Sequence, residues 1–140
     1  MANEISLSVT MSAAKGGANE SVSASTAITM INEDMNSATM VAPISSGIGS
    51  LIPVGSCVNG GLMFIKNLST DTTVIVDVAI QRDATALDAT TFGTGKILSV
   101  GAGEVAVFRT IVGLTIYPLY KVRSSSLTVL PFIQVTVLEP

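Results

Sequence analysis

The chain has no histidine and no tryptophan, one cysteine, two tyrosines, and only 12% charged residues in its 140. Each shortage excludes something. Without histidine, a zinc or copper site would have to be built from carboxylates alone, and a serine, threonine or cysteine nucleophile would lack its usual general base. The single Cys57 cannot form an internal disulfide and reads as a small buried hydrophobe. Lysine and arginine number 7 and are scattered singly in a chain of net charge −3, so the basic footprint that nucleic acid requires is missing.

No charge occurs between Asn36 and Ile65, yet Pro43, Pro53 and the glycines at 47, 49, 55, 60 and 61 interrupt that stretch. A membrane-spanning helix is therefore not expected there. The opening M-A-N-E-I-S-L-S-V-T shows no basic segment followed by an apolar core, so no secretory signal is expected. The glycosylation patterns Asn19-Glu20-Ser21 and Asn67-Leu68-Ser69 then carry little weight.

The low charge has a further consequence. An average soluble domain is about 25% charged, whereas this one pairs 12% charge with 48% apolar residues. Scaling from its mass, folding leaves roughly 6,800 Å² of some 21,000 Å² exposed, about one-third of the surface. Too few ionised groups exist to coat what stays outside, and the expectation is that another chain covers part of it.

What the sequence does have is strand pattern. Ile5, Leu7, Val9 and Met11 alternate with Glu4, Ser6, Ser8, Thr10 and Ser12, giving one buried and one wetted face. Ala13 to Ser21 reads as a turn, and a second alternating run covers Val22 to Ile31. Together they predict an N-terminal hairpin over about 4–31, an extension of a single β-sandwich domain spanning 1–140. Asn32 to Asn36 is a polar break. Ala38 to Ile44 and Ile48 to Val58 are short apolar runs, and Pro53 marks the second as an edge strand or a bulge. Asn59-Gly60 is a hairpin turn signal leading into a strand at Leu62 to Leu68. Val74 to Gln81 reads as a strand covered on both sides, and Arg82 to Gly95 as an exposed loop. Lys96 to Val100 and Val105 to Thr110 are strands joined as a hairpin by the glycine-rich turn Gly101-Ala102-Gly103-Glu104. Leu114 to Val122, with Pro118, and Leu127 to Leu138, with Val129, Pro131, Ile133, Val135 and Val137 in alternation, close the chain. Eight or nine short, evenly spaced strands predict an all-β, jelly-roll-like sandwich.

Chemistry is thin by comparison. Asp83 and Asp88 lack the density of a calcium loop. Gly93-Thr94-Gly95-Lys96 suggests a phosphate cradle, but a strand follows where a P-loop needs a helix. Asp77 and Glu104 would have to face each other to act as a glycosidase pair, and ordinary ion pairing, for instance Glu104 with Arg109, is the expectation. Tyr117 and Tyr120 are the only tyrosines on which a sugar platform could rest. No catalytic, cofactor or metal residue is expected, and no enzyme.

The run G-L-M-F-I-K-N-L at 61–68, followed by G-A-G-E-V-A-V-F-R at 101–109 and preceded by the opening M-A-N-E-I-S-L-S-V-T, resembles small virion proteins of tailed bacteriophages. The resemblance covers about half the chain and leaves 38–58 and 82–95 unmatched. It implies a non-enzymatic β-sandwich of the capsid decoration or minor capsid type, located in the virion. Such a subunit would form a homo-oligomer and pack on major capsid or other virion proteins, with no nucleic acid, membrane or cofactor as partner. A carbohydrate-binding sandwich module and a tail- or fibre-associated subunit are the alternatives.

Overall fold

The computed structural model of the chain describes residues 4–15, 18–29, 35–57, 61–82, 92–110 and 119–139. It divides into two compact units, Met1–Glu33 with Pro140, and Asp34–Glu139. The turn signal Asn59-Gly60, the loop aspartates Asp83 and Asp88, and Tyr117 with Pro118 lie outside the described residues.

The first unit is a two-stranded ribbon in which β1 (Glu4–Lys15) pairs antiparallel with β2 (Ala18–Thr29). Its ladder is longer than the alternation suggested: Ala13 pairs with Glu20 and Ala14 with Asn19, where the sequence reads as a turn. Alanine and asparagine carry no apolar alternation, so the pattern fades before the pairing does. Register places Ile5, Leu7, Val9, Met11 and Ala13 on one face with Ile28, Thr26, Ala24, Val22 and Glu20.

The second unit is a sandwich. One sheet has the order β3 (Met35–Val41), β10 (Phe132–Leu138), β5 (Leu62–Asn67), β8 (Val105–Arg109). The other runs β4 (Ser50–Leu51), β9 (Leu119–Ser124), β6 (Val76–Gln81), β7 (Lys96–Val100). Every neighbouring pair is antiparallel. The chain changes sheet at each step except between β6 and β7, so the first sheet holds the first, eighth, third and sixth of the sandwich's eight strands. That is the jelly-roll order. With the two strands of the hairpin the described strands number ten, against the eight or nine expected for the chain.

Strand periodicity places the core. Met63 and Ile65 of β5 and Ile133, Val135 and Val137 of β10 face Val76, Val78 and Ile80 of β6, Val100 of β7 and Val122 of β9 in one buried cluster. Cys57 joins it fully buried, its thiol donating to the Val137 carbonyl at 3.5 Å. β4 is short and lies at an edge, as Pro53 predicted. The uncharged stretch from Asn36 to Ile65 supplies most of β3, all of β4 and part of β5.

Three local expectations need correction. Asn36, read as part of a polar break, lies inside β3, and its amide donates to the Pro53 carbonyl at 2.8 Å. The exposed loop expected over Arg82 to Gly95 ends in a helical turn, Phe92–Gly95, whose Phe92 is fully buried against Ala79 of β6. The Arg123 guanidinium caps that ring at 4.2 Å, which covers β6 from its outer side. Finally, Gly101 to Glu104 does not close a hairpin, because β7 and β8 belong to different sheets. The turn crosses the edge of the sandwich.

Candidate functional site

A sandwich has two outer faces, and here they differ. On the second sheet the outward positions of the central strands β9 and β6 are polar or covered, while at its edges Leu51 of β4 and Ile97 of β7 are exposed. Asp77 accepts from Ser99 Oγ at 2.7 Å and meets Lys96 Nζ at 3.5 Å, Lys121 and Gln81 are buried, and Arg123 is spread over Phe92 while its Nη1 donates to the Ser45 carbonyl at 3.1 Å.

The first sheet is the reverse. Register brings Val41 beside Phe132, Thr39 beside Gln134, Lys66 and Val105, Ser37 beside Thr136, Phe64 and Val107, and Met35 beside Leu138, Leu62 and Arg109. All of these are half-buried or exposed. Phe132 is 58% exposed, Met35 62% and Val105 47%. Eight of these fourteen positions are apolar, and five of the eight, Met35, Val41, Phe132, Val105 and Val107, are exposed. Its only charges are Lys66 and Arg109, both basic, and no carboxylate stands among its described positions. Its rim strand β3 carries no charge and no proline to blunt the free edge.

Among the described residues, those singled out for chemistry do not converge. Asp77 and Glu104 each have a partner of their own: the Glu104 carboxylate accepts from the Gly101 N–H at 2.8 Å, closing its own turn. Glu104 does not pair with Arg109, because Arg109 ends β8 opposite Leu62 while Glu104 precedes it, which separates them by about 17 Å of extended strand. Tyr120 lies in the core, 5% exposed, with its ring 5.7 Å from that of Phe108, so it cannot serve as a sugar platform. Gly93-Thr94-Gly95 leads directly into β7 rather than into a longer helix. Among the described residues, no group of acidic, cysteine or histidine side chains is arranged to hold a metal ion, and no helix is long and apolar enough to cross a membrane.

Sequence reading missed Asn67. It is fully buried at the end of β5, and its amide donates to the carbonyls of Val74 and Val100, both at 3.1 Å, while its Oδ1 accepts from Ser69 N–H at 3.0 Å. Its backbone is tied to the crossing turn as well, by Gly103 N–H to Asn67 O at 2.9 Å and Asn67 N–H to Glu104 O at 3.1 Å. This one residue fastens the first sheet to the second. The glycosylation pattern that contains it is therefore occupied by structure.

Nearby, Asp71 accepts from the Thr73 hydroxyl at 2.7 Å and the Thr73 N–H at 3.0 Å. These bonds, the hydroxyl first, hold its carboxyl below the ordinary aspartate range.

Comparison of the chain with protein-family models, curated proteins and solved structures returns no match. The surface itself has to carry the functional argument.

Proposed function

We propose that this chain is a non-enzymatic structural subunit of a tailed-bacteriophage particle, of the capsid decoration or minor capsid type, that works by packing its open sheet against neighbouring chains. The observation that carries the reading is the outer face of β3-β10-β5-β8, where exposed Met35, Val41, Phe132, Val105 and Val107 stand with no carboxylate among the described positions. The resemblance of 61–68 and 101–109 to small virion proteins supplies the particle. Both segments lie in or beside this sheet, as the adjacent strands β5 and β8.

Size decides how such a face can be used. Four strands at about 4.8 Å and seven residues at about 3.4 Å give a patch of roughly 19 by 24 Å, or about 450 Å². A stable pairwise interface buries about 800 Å² on each side. Even if all of it were apolar, the patch would contribute about 11 kcal/mol at ~25 cal/mol per Å². That is comparable with the roughly 4–15 kcal/mol lost on association. One contact is weak, and an array of many copies makes weak contacts collectively strong.

The virion reading is tested on particles. In purified particles from the source of the sequence, mass spectrometry is expected to find the chain in many copies, and a Phe132→Glu version supplied in its place is expected to stay soluble and be lost from them. Phe132 is exposed, so this change spares the core. Particles that lack the chain, or that retain the variant at full occupancy, would contradict the reading.

A further inference from the structure

Of the sandwich's four edge strands, three are blunted. β4 is two residues long with Pro53 just beyond it, β7 opens on Lys96 and its ladder with β6 shifts register at Ala79, and β8 ends on Arg109. Each device discourages a further strand from adding to the sheet. β3 has none of them. Its seven residues, M-N-S-A-T-M-V, hold an unbroken register with β10 and carry no charge.

We infer that β3 of one copy pairs antiparallel with β3 of a second copy about a two-fold axis at Ala38, which joins two four-stranded sheets into one of eight strands. The inference rests on the assembly reading above and names the first neighbour.

Three arguments choose this occupant and this register. The first is hydrogen bonding. The Ala42 N–H donates to the Pro131 carbonyl at 2.9 Å, so the even-numbered residues along this strand turn their backbone groups to β10, while Met35, Ser37, Thr39 and Val41 turn theirs to the outer edge. A two-fold axis at Ala38 sets Met35 opposite Val41 of the second copy and Ser37 opposite Thr39. The edge groups then face each other and form about eight N–H to carbonyl bonds. The second is side-chain pairing, which becomes apolar on apolar and hydroxyl on hydroxyl. Ser37 already makes such a hydroxyl pair with Thr136 of β10, at 3.0 Å. The third is charge and area. No like charges meet at the seam, because Lys66 and Arg109 stand on β5 and β8, two and three strands back from it in each copy. The joined outer face measures roughly 38 by 24 Å, or about 900 Å². That exceeds the ~800 Å² per side of a stable interface, which one copy alone falls short of.

Cysteine placement tests it in the full chain. A two-fold axis at position 38 presents a non-hydrogen-bonded pair with Cα atoms about 4.5 Å apart, within disulfide reach, whereas position 41 lies about 20 Å from its counterpart. With oxidised glutathione as the oxidant, Ala38→Cys is expected to run as a covalent dimer on a non-reducing gel. Val41→Cys, the more exposed position, is expected to run as a monomer. Thr39→Pro removes an N–H that points away from β10, so its own sheet loses no bond. It is expected to need at least roughly tenfold higher concentration than the wild type to dimerise, read by light scattering. Far-UV circular dichroism confirms that all three variants keep their strands. If Ala38→Cys stays monomeric, if Val41→Cys crosslinks as readily, or if Thr39→Pro dimerises like the wild type, the edge pairing is overturned and the assembly reading stands. A wild-type chain that is monomeric throughout overturns both.

Discussion

Asn67 shows how much one polar side chain can hold in a two-sheet fold. Its amide spans from the end of β5 to carbonyls at the start of β6 and the end of β7, in a place with no solvent to replace it. Asn67→Ala leaves the Val74 and Val100 carbonyls and the Ser69 N–H without that partner. We expect a loss of about 2–4 kcal/mol, read from the midpoint of urea unfolding. Asn67→Asp is expected to cost more, since a carboxylate cannot donate to carbonyls and would be charged while buried. A midpoint unchanged in both would show that the sheets are fastened elsewhere. None of this is visible in the sequence, where Asn67 looks like a strand end inside a glycosylation pattern, because its partners lie 7 and 33 residues away. Phe92 was hidden in the same way. Set among threonines and glycines, it reads as loop, and only Ala79 and Arg123, both distant in the chain, make it core.

Elements were legible where one face is wet and the other dry. The alternation Ile133, Val135, Val137 marks β10, and Val76, Val78, Ile80 marks β6, because burial on one side imposes a period of two on the residue types. Pairing was legible only where a turn also fixes the partner. Gly101-Ala102-Gly103-Glu104 has the same composition whether it closes a hairpin or crosses between sheets, so the sequence could not place β7 and β8 apart. The Asn67 backbone locks onto the Gly-Glu turn, which sets β5 beside β8. Two glycines test the local geometry. Gly103 has φ +74° and open space around a built Cβ, so Gly103→Ala is expected to cost about 1 kcal/mol for the left-handed backbone alone. Gly49 has φ +77°, and its Cβ would come within 2.6 Å of the Phe92 ring and 3.1 Å of the Val122 carbonyl. Gly49→Ala is therefore expected to cost clearly more, by about 1–3 kcal/mol beyond the first change. Equal unfolding midpoints for the two variants would contradict the packing of Phe92.

For the molecule as a whole, composition anticipated the surface better than it anticipated the topology. A chain with 12% charge cannot wet every face, and the outer face of one sheet holds only Lys66 and Arg109 among its described positions, while the other sheet carries the Asp77–Lys96 pair, Lys121 and Arg123. Which sheet is open follows from the jelly-roll order, and that order depends on non-local pairing that periodicity does not encode. The account predicts a molecule whose apolar face is covered by its own kind. The most direct measurement is the absolute mass of the full-length wild-type chain by light scattering from micromolar to millimolar concentration. A mass that climbs in steps above the 14.3 kDa of one chain, and falls back when Phe132 is replaced by glutamate, is the predicted result. A constant 14.3 kDa across the whole range would contradict it.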